Sequence, residues 1–191
     1  MRYIFYVIIS SVFLWTGCGD KDTHKQETED SQAQVETKIQ NTFRITDIDQ
    51  RSTTISIKNA QVKIAKVTQD IVLVNIFSEW SAPSSGMIPY LDSLQKKYPK
   101  DLFVIGLVAN SDMDNKQLRN FMKKNNASYF ISNSHENDKL AGALVKFLNL
   151  DSNYPIPLTI LFKNGKYSRH YIGATPIEMI RADIEQLKKK G

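Results

Sequence analysis

The stretch FSEWSAPSSGMIPYL, Phe77 to Leu91, decides how this chain is read. It closes a nearly unbroken apolar run, Ile71 to Phe77 (IVLVNIF), and opens a segment in which Met87, Leu91, Leu94 and Tyr98 fall at i, i+4, i+7 and i+11. A continuous apolar run of that length suits a strand buried on both faces. The spacing that follows puts one apolar stripe on a helix, which Pro99 ends. A second run, Leu102 to Val108 (LFVIGLV), comes next. Strand, helix and strand make a βαβ unit whose two strands are expected to be central and parallel.

Outward from this unit the pattern continues. Leu118, Phe121 and Met122 after Asp114, and then Leu140, Leu144, Phe147 and Leu148, carry helical spacing on either side of a short strand at Tyr129 to Ile131. Leu158 to Phe162 and Tyr167 to Ile172 flank Lys163-Asn164-Gly165-Lys166. Asn-Gly between strand-like segments signals a hairpin, because both turn residues need positive φ. Ile177, Ile180, Ile184 and Leu187 trace a last helix behind Pro176. Before the unit, Thr54 to Ile57 and Val62 to Ile64 alternate apolar with polar around Lys58-Asn59, which predicts an N-terminal β-hairpin extension. The order is ββ, βαβαβα, ββα: an α/β sandwich with a mixed central sheet flanked by helices.

The first 42 residues read differently. Met1-Arg2 and an apolar run from Tyr3 to Trp15 have the form of a secretory signal and are short of the roughly 20 residues a membrane span needs. Leu14-Trp15-Thr16-Gly17-Cys18 resembles a bacterial lipoprotein lipobox, which implies cleavage after Gly17 and acylation of Cys18. From Gly19 to Thr42 there is no aromatic residue and little apolar surface, so this segment is expected to be a flexible tether. Coil statistics give it a reach of roughly 25 to 30 Å. The expected organisation is a signal peptide over 1–17, a lipidated cysteine and tether over 18–42, and one domain over 43–191.

Composition narrows the chemistry. Cys18 is the single cysteine, so once it carries lipid the domain has no thiol, no disulfide and no cysteine metal ligand. The net charge of +5 is spread along the chain and matched by acids in most segments. The tail Lys188, Lys189 and Lys190 reads as a solvated helix end favoured by the helix dipole, not a nucleic-acid patch.

From Phe43 onward the chain resembles the membrane-tethered TlpA/ResA/CcmG proteins, extracytoplasmic thiol-disulfide oxidoreductases with a thioredoxin-like fold. The resemblance is carried by Phe43-Arg44-Ile45-Thr46-Asp47 as the opening strand, by Ile71 to Trp80 as the strand leading to the site, by Pro83 and Pro89, and by Ile156-Pro157-Leu158-Thr159. This last piece matches the loop whose cis-proline borders the site; Phe162-Lys163-Asn164-Gly165 and Gly173 follow it. The family's chemistry needs a thiolate at the position of Ser81, at a helix N-terminus that lowers its pKa, and a resolving thiol at Ser84. Both are serine here. Met87 stands where ResA-like members carry a glutamate. Asn75 interrupts the strand where thioredoxins place a buried acid, and reads as a hydrogen-bonded core amide.

A serine hydroxyl forms no disulfide, and the motif holds no histidine to activate it. Thiol-disulfide exchange by this chain alone is excluded. Three functions remain: a non-catalytic, membrane-tethered lipoprotein that binds an extracytoplasmic polypeptide, with or without cysteine, through a groove of Trp80, Pro83, Ile156 and Pro157; the oxidoreductase activity that the resemblance implies, in envelope protein redox or cytochrome c maturation, with thiols supplied by a partner or by cysteines at positions 81 and 84 in the native gene; and a structural subunit that works through another surface. Strand addition beside the cis-proline requires no sulfur. The expected location is the extracytoplasmic side of a bacterial membrane. No cofactor, metal or nucleic acid is expected: His24, His135 and His170 are scattered, and Asp92, Asp112, Asp114 and Glu136 read as loop or exposed helix residues suited to capping.

Overall fold

The computed structural model describes residues 41–189, so the signal peptide, Cys18, nearly all of the tether, His24 and Lys190 lie outside the described residues. The elements run β1 (Thr42–Thr46), β2 (Ser52–Lys58), β3 (Gln61–Ile64), β4 (Ile71–Phe77), α1 (Ala82–Lys97), β5 (Leu102–Val108), α2 (Asn115–Lys124), β6 (Phe130–Ser132), α3 (Asn137–Phe147), β7 (Leu158–Lys163), β8 (Lys166–Ile172) and α4 (Ile177–Lys189). They form one mixed sheet in the order β1-β2-β3-β8-β7-β4-β5-β6.

Every residue of β4 is buried, because it pairs with β5 in parallel and with β7 antiparallel and is covered on both faces. Its side chains alternate accordingly. Ile71, Leu73 and Phe77 join Met87, Ile88, Leu91 and Leu94 of α1, Leu118 and Met122 of α2, and Ile180 and Ile184 of α4. Val72, Val74 and Ile76 instead meet Leu140, Ala141, Leu144 and Val145 of α3, with Phe43, Ile45 and Ile55 of the N-terminal strands. The period-two strand thus divides the interior into two cores.

Gly106, opposite Asn75 on β5, packs closely against the first of these cores. A Cβ there would lie 3.1 Å from Ile131 Cγ1, 3.1 Å from Phe77 Cε1 and 3.2 Å from Tyr129 Cε2. The turn between β7 and β8 uses Asn164 at φ 51° and Gly165 at φ 74°, the left-handed pair that a two-residue hairpin demands. Strand β3 touches β8 at one pair, Gln61 with Lys166, while Val62 N–H donates to Gly165 O at 2.8 Å. At the far edge Asp47 bridges to Ser132.

Candidate functional site

The site lies where β4 ends and α1 begins. Ser78 bonds the Ala109 carbonyl at 2.9 Å, and Ala109 N–H returns to Phe77 O at 2.9 Å, which fixes the strand exit. Three residues later Ser81 is the N-cap of α1, with extended backbone (φ −86°, ψ 114°) and Pro83 in the first turn. That arrangement follows from residue type. Serine caps with its side-chain oxygen, and proline has no N–H to lose in a first turn. The cap bond, Ser84 N–H to Ser81 Oγ, is 3.4 Å long.

The two motif serines differ in condition. Ser81 is buried and its oxygen accepts that cap bond. Ser84 is fully buried, and its hydroxyl makes no hydrogen bond. No histidine, lysine or carboxylate bonds either one among the described residues, so neither is activated as a nucleophile. Beneath them Met87 is buried in the α1 core. Asn75 is fully buried and donates to Thr159 Oγ1 at 2.9 Å, while its Oδ1 has no partner. It is a half-satisfied core amide.

Around the serines, Trp80 is 70% exposed and Pro83 is exposed. The Ile156–Pro157 bond is cis. Pro157 is buried, and its carbonyl accepts from Gly173 N–H at 2.8 Å. Register pairs Leu158 with Ile76, so Pro157 stands level with the end of β4. Ile156 is half-buried, and its backbone N–H and C=O make no hydrogen bond among the described residues.

A cleft of about 440 Å³ runs between the start of α1 and the β8–α4 connection, lined by Pro83, Met87, Tyr90, Ala174, Pro176 and Ile177 among others. It brings Pro83 against the segment that follows Gly173, the residue bonded to Pro157. Trp80 and Ile156 do not line it. Sequence reasoning missed this cleft and Tyr90, which is 56% exposed. The only local signal was the Gly173-Ala174-Thr175-Pro176 break before α4.

Glu79, beside Trp80, was also missed: Oε1 accepts from Ser111 at 2.9 Å, while the buried Oε2 has no partner. A larger polar cleft of about 620 Å³ opens at the same end of the sheet, lined by Asp47, Ser111, Asp112, Asp114, His135 and Asp138 among others. No group of three His, Cys, Asp or Glu is placed to hold a metal among the described residues. His135 faces that polar cleft, and His170 pairs with Tyr167 at 2.9 Å.

Two of the carboxylates depart from the sequence reading. Asp114 caps α2 in a capping box with Gln117, and Asp112 is exposed. Asp92, by contrast, is a buried helix residue: Lys96 pairs with it at 2.5 Å, and Ser128 donates its N–H at 2.6 Å and its hydroxyl at 2.8 Å. Burial alone raises its pKa, yet the bonds from Lys96 and Ser128 outweigh it and hold the carboxyl below its ordinary value. The reason lies in tertiary structure, since the loop before β6 folds over the i+1 side of the α1 stripe. Glu136 occupies the N-cap position of α3 but makes no side-chain cap bond, and pairs with Lys139 at 3.0 Å instead.

No family model and no curated protein matches the chain. Solved structures do. A thiol:disulfide interchange protein of the thioredoxin family from Chlorobium tepidum superposes with a TM-score of 0.55 at 15% identity, over 77% of this chain and 93% of that one. The fold is thioredoxin-like. A secreted Mycobacterium tuberculosis disulfide oxidoreductase homologous to E. coli DsbE matches at a TM-score of 0.52 and 12% identity, over 75% of this chain and 95% of that one. An exposed lipoprotein thioredoxin of Streptococcus pneumoniae gives 0.51 and 12%, over 76% and 98%. What these chains share with the present one is the thioredoxin-like fold, and in it Ser81 and Ser84 stand at the head of the first helix after the central strand.

Proposed function

We propose that this chain is a thioredoxin-like lipoprotein of the bacterial cell envelope, held through Cys18 on the extracytoplasmic side of a membrane, that binds an extended polypeptide without redox catalysis. The observation that carries this reading is the contrast at the site. The two positions where sulfur chemistry would occur hold a capping serine and an idle one, while Ile156, ahead of the cis-proline that stands level with the end of β4, keeps its backbone N–H and C=O unpaired. A free donor and acceptor on one residue is what a strand-like guest uses. Trp80 supplies exposed aromatic surface next to the motif, of the kind enriched at binding hot spots, and Pro83 borders the same helix start. The solved relatives include secreted and lipoprotein members, which supports the envelope location.

An oxidoreductase role would need both sulfurs from a partner. The Ser81→Cys variant of the full chain tests the binding reading. Its thiolate attacks a disulfide of a bound guest, forming a mixed disulfide with one guest cysteine and releasing the other as a thiol, and the Ser84 hydroxyl does not resolve the adduct. Expected are discrete adducts in the envelope that fall at least severalfold when Ile156→Lys is added. Adducts that are indifferent to Ile156, or spread over the whole envelope proteome, sink the groove reading. The intact mass of the wild-type chain, purified from membranes, reads acylation of Cys18 independently.

A further inference from the structure

The sequence spreads its lysines along the chain, but the fold collects them. At the end of the sheet where β4 and β5 start, Ile71 N–H bonds Asp101 O at 3.0 Å and Asn164 N–H bonds Asp70 O at 2.7 Å. The α1–β5 connection, the β7–β8 turn and the C-terminus of α4 therefore meet at one pole. It carries Lys97, Lys100, Lys163, Lys166, Lys188 and Lys189. Its acids are three against six lysines: Asp70 and Asp101 are paired with Lys163 and Lys188 respectively at 3.2 Å, and Glu185, which accepts from Tyr98 Oη, lies among Lys97, Lys188 and Lys189. Lys188 also lies 4.7 Å from the centre of the Tyr98 ring, so it is a held side chain and not a solvated tail.

Helix dipoles account for Lys97, Lys188 and Lys189, which lie in last turns. They do not account for Lys100, Lys163 and Lys166, which belong to a loop and to strand ends. The opposite pole, with the site, is more acidic: Asp112, Asp114 and Asp138 border its polar cleft, together with Asp47, which Arg51 neutralises. Charge is thus separated along the strand axis.

The chain joins the domain at the lysine pole. Asn41 O accepts from Ile57 N–H at 2.7 Å, Ile57 pairs with Val62, and Val62 N–H bonds Gly165 of the β7–β8 turn. Asn41, the first described residue, thus lies at the end of the sheet that carries Lys163 and Lys166, remote from Ser81.

We propose that this lysine pole docks on an anionic lipid surface, so that the site and its groove point away from the membrane. The inference rests on the envelope placement proposed above. It adds an orientation: a basic surface next to the point of attachment is drawn to anionic headgroups, and the acidic pole is repelled.

The test uses the full-length chain reconstituted in phosphatidylcholine vesicles with or without phosphatidylglycerol, with brief lysine acetylation read residue by residue in a mass spectrometer. Lys100, Lys166 and Lys189 should be protected about fivefold or more in the anionic vesicles. High salt should remove the protection, and Lys116 and Lys139 at the site end should not change. Lys100→Glu with Lys166→Glu should abolish protection of Lys189. Equal reactivity in both vesicles overturns the proposal. So does protection already present in detergent, which would mean that the chain's own acidic stretch Glu27-Thr28-Glu29-Asp30 covers the pole. Equal protection by polyglutamate or RNA overturns the lipid assignment. Because the mass of the membrane-purified chain reports Cys18 separately, loss of the anchor reading and loss of the orientation are distinguishable.

Discussion

Ser84→Ala should stabilise this protein, and Ser81→Ala, three residues away, should destabilise it. The Ser84 hydroxyl is fully buried and has no partner. A buried polar group left unsatisfied costs about 1–3 kcal/mol, and alanine removes that group while keeping the backbone N–H that caps against Ser81. Alanine also adds roughly 0.5 kcal/mol of helix propensity. Against this stands the void left by one oxygen, smaller than a methyl group, for which about 1 kcal/mol is an upper figure. The net expectation is a gain of about 1 kcal/mol, or roughly 2–4 °C in Tm for a chain of this size.

Ser81→Ala forfeits a cap whose bond is 3.4 Å long, so its cost should fall near the low end of the usual range, about 0.5 kcal/mol. The bond runs from the Ser84 backbone and not from its hydroxyl, so the double variant should be the sum of the two. Urea unfolding of the purified chain, followed by circular dichroism, reads both effects as midpoint shifts at constant slope. A loss of about 1 kcal/mol or more for Ser84→Ala would mean that this hydroxyl is hydrogen-bonded in the folded protein, and the description of the motif as chemically idle would fail.

Three further expectations follow from the core. Thr159→Val leaves the Asn75 amide wholly unpaired and should cost about 1–3 kcal/mol, whereas Thr159→Val with Asn75→Leu should recover most of it; a double variant as weak as the single one contradicts this account. Gly106→Ala forces a Cβ to 3.1 Å from two side chains and should cost about 1–3 kcal/mol by denaturant titration; a neutral result would show that Ile131 and Phe77 yield freely. Asp92 is held below its ordinary value in the folded chain, so its contribution is complete above that value and is lost as pH falls through the folded one. Asp92→Asn should therefore flatten the acid limb of the stability profile, and an unchanged limb would show that the pairing with Lys96 and Ser128 contributes nothing.

What the sequence disclosed depended on how local the cause was. The β4–α1–β5 unit is written in contiguous residues: continuous apolar runs, a stripe at helical spacing, and a serine and proline at the helix start. The capping box of α2 and the Asn164-Gly165 turn are equally local. Charged residues were misjudged wherever long-range neighbours set their state. Asp92 reads as a polar helix position, but the loop carrying Ser128 covers it. The 440 Å³ cleft escaped notice because its walls, α1 and the segment after β8, lie some ninety residues apart in the sequence. The lysine pole escaped for the same reason, since its contributing segments, around Lys100, Lys166 and Lys188, are far apart in the sequence.

The motif serves structure and chemistry through different atoms, which explains how one survives without the other. Position 81 starts a helix through a side-chain acceptor, and serine is among the strongest residues for that task. Replacing a thiol there keeps the helix start, and with it the placement of Trp80 and Pro83. The guest-pairing groups proposed here are the backbone N–H and C=O of Ile156, which no side-chain change at 81 or 84 removes. What serine does remove is the covalent step, and with it any mixed disulfide that would prolong a complex. A bound polypeptide would then be held by backbone pairing and aromatic contact alone, which favours exchange over capture. Weak, reversible binding of this kind gains most from a high effective concentration of partners. The proposed confinement to a membrane, with the groove facing outward from the lysine pole, would supply it.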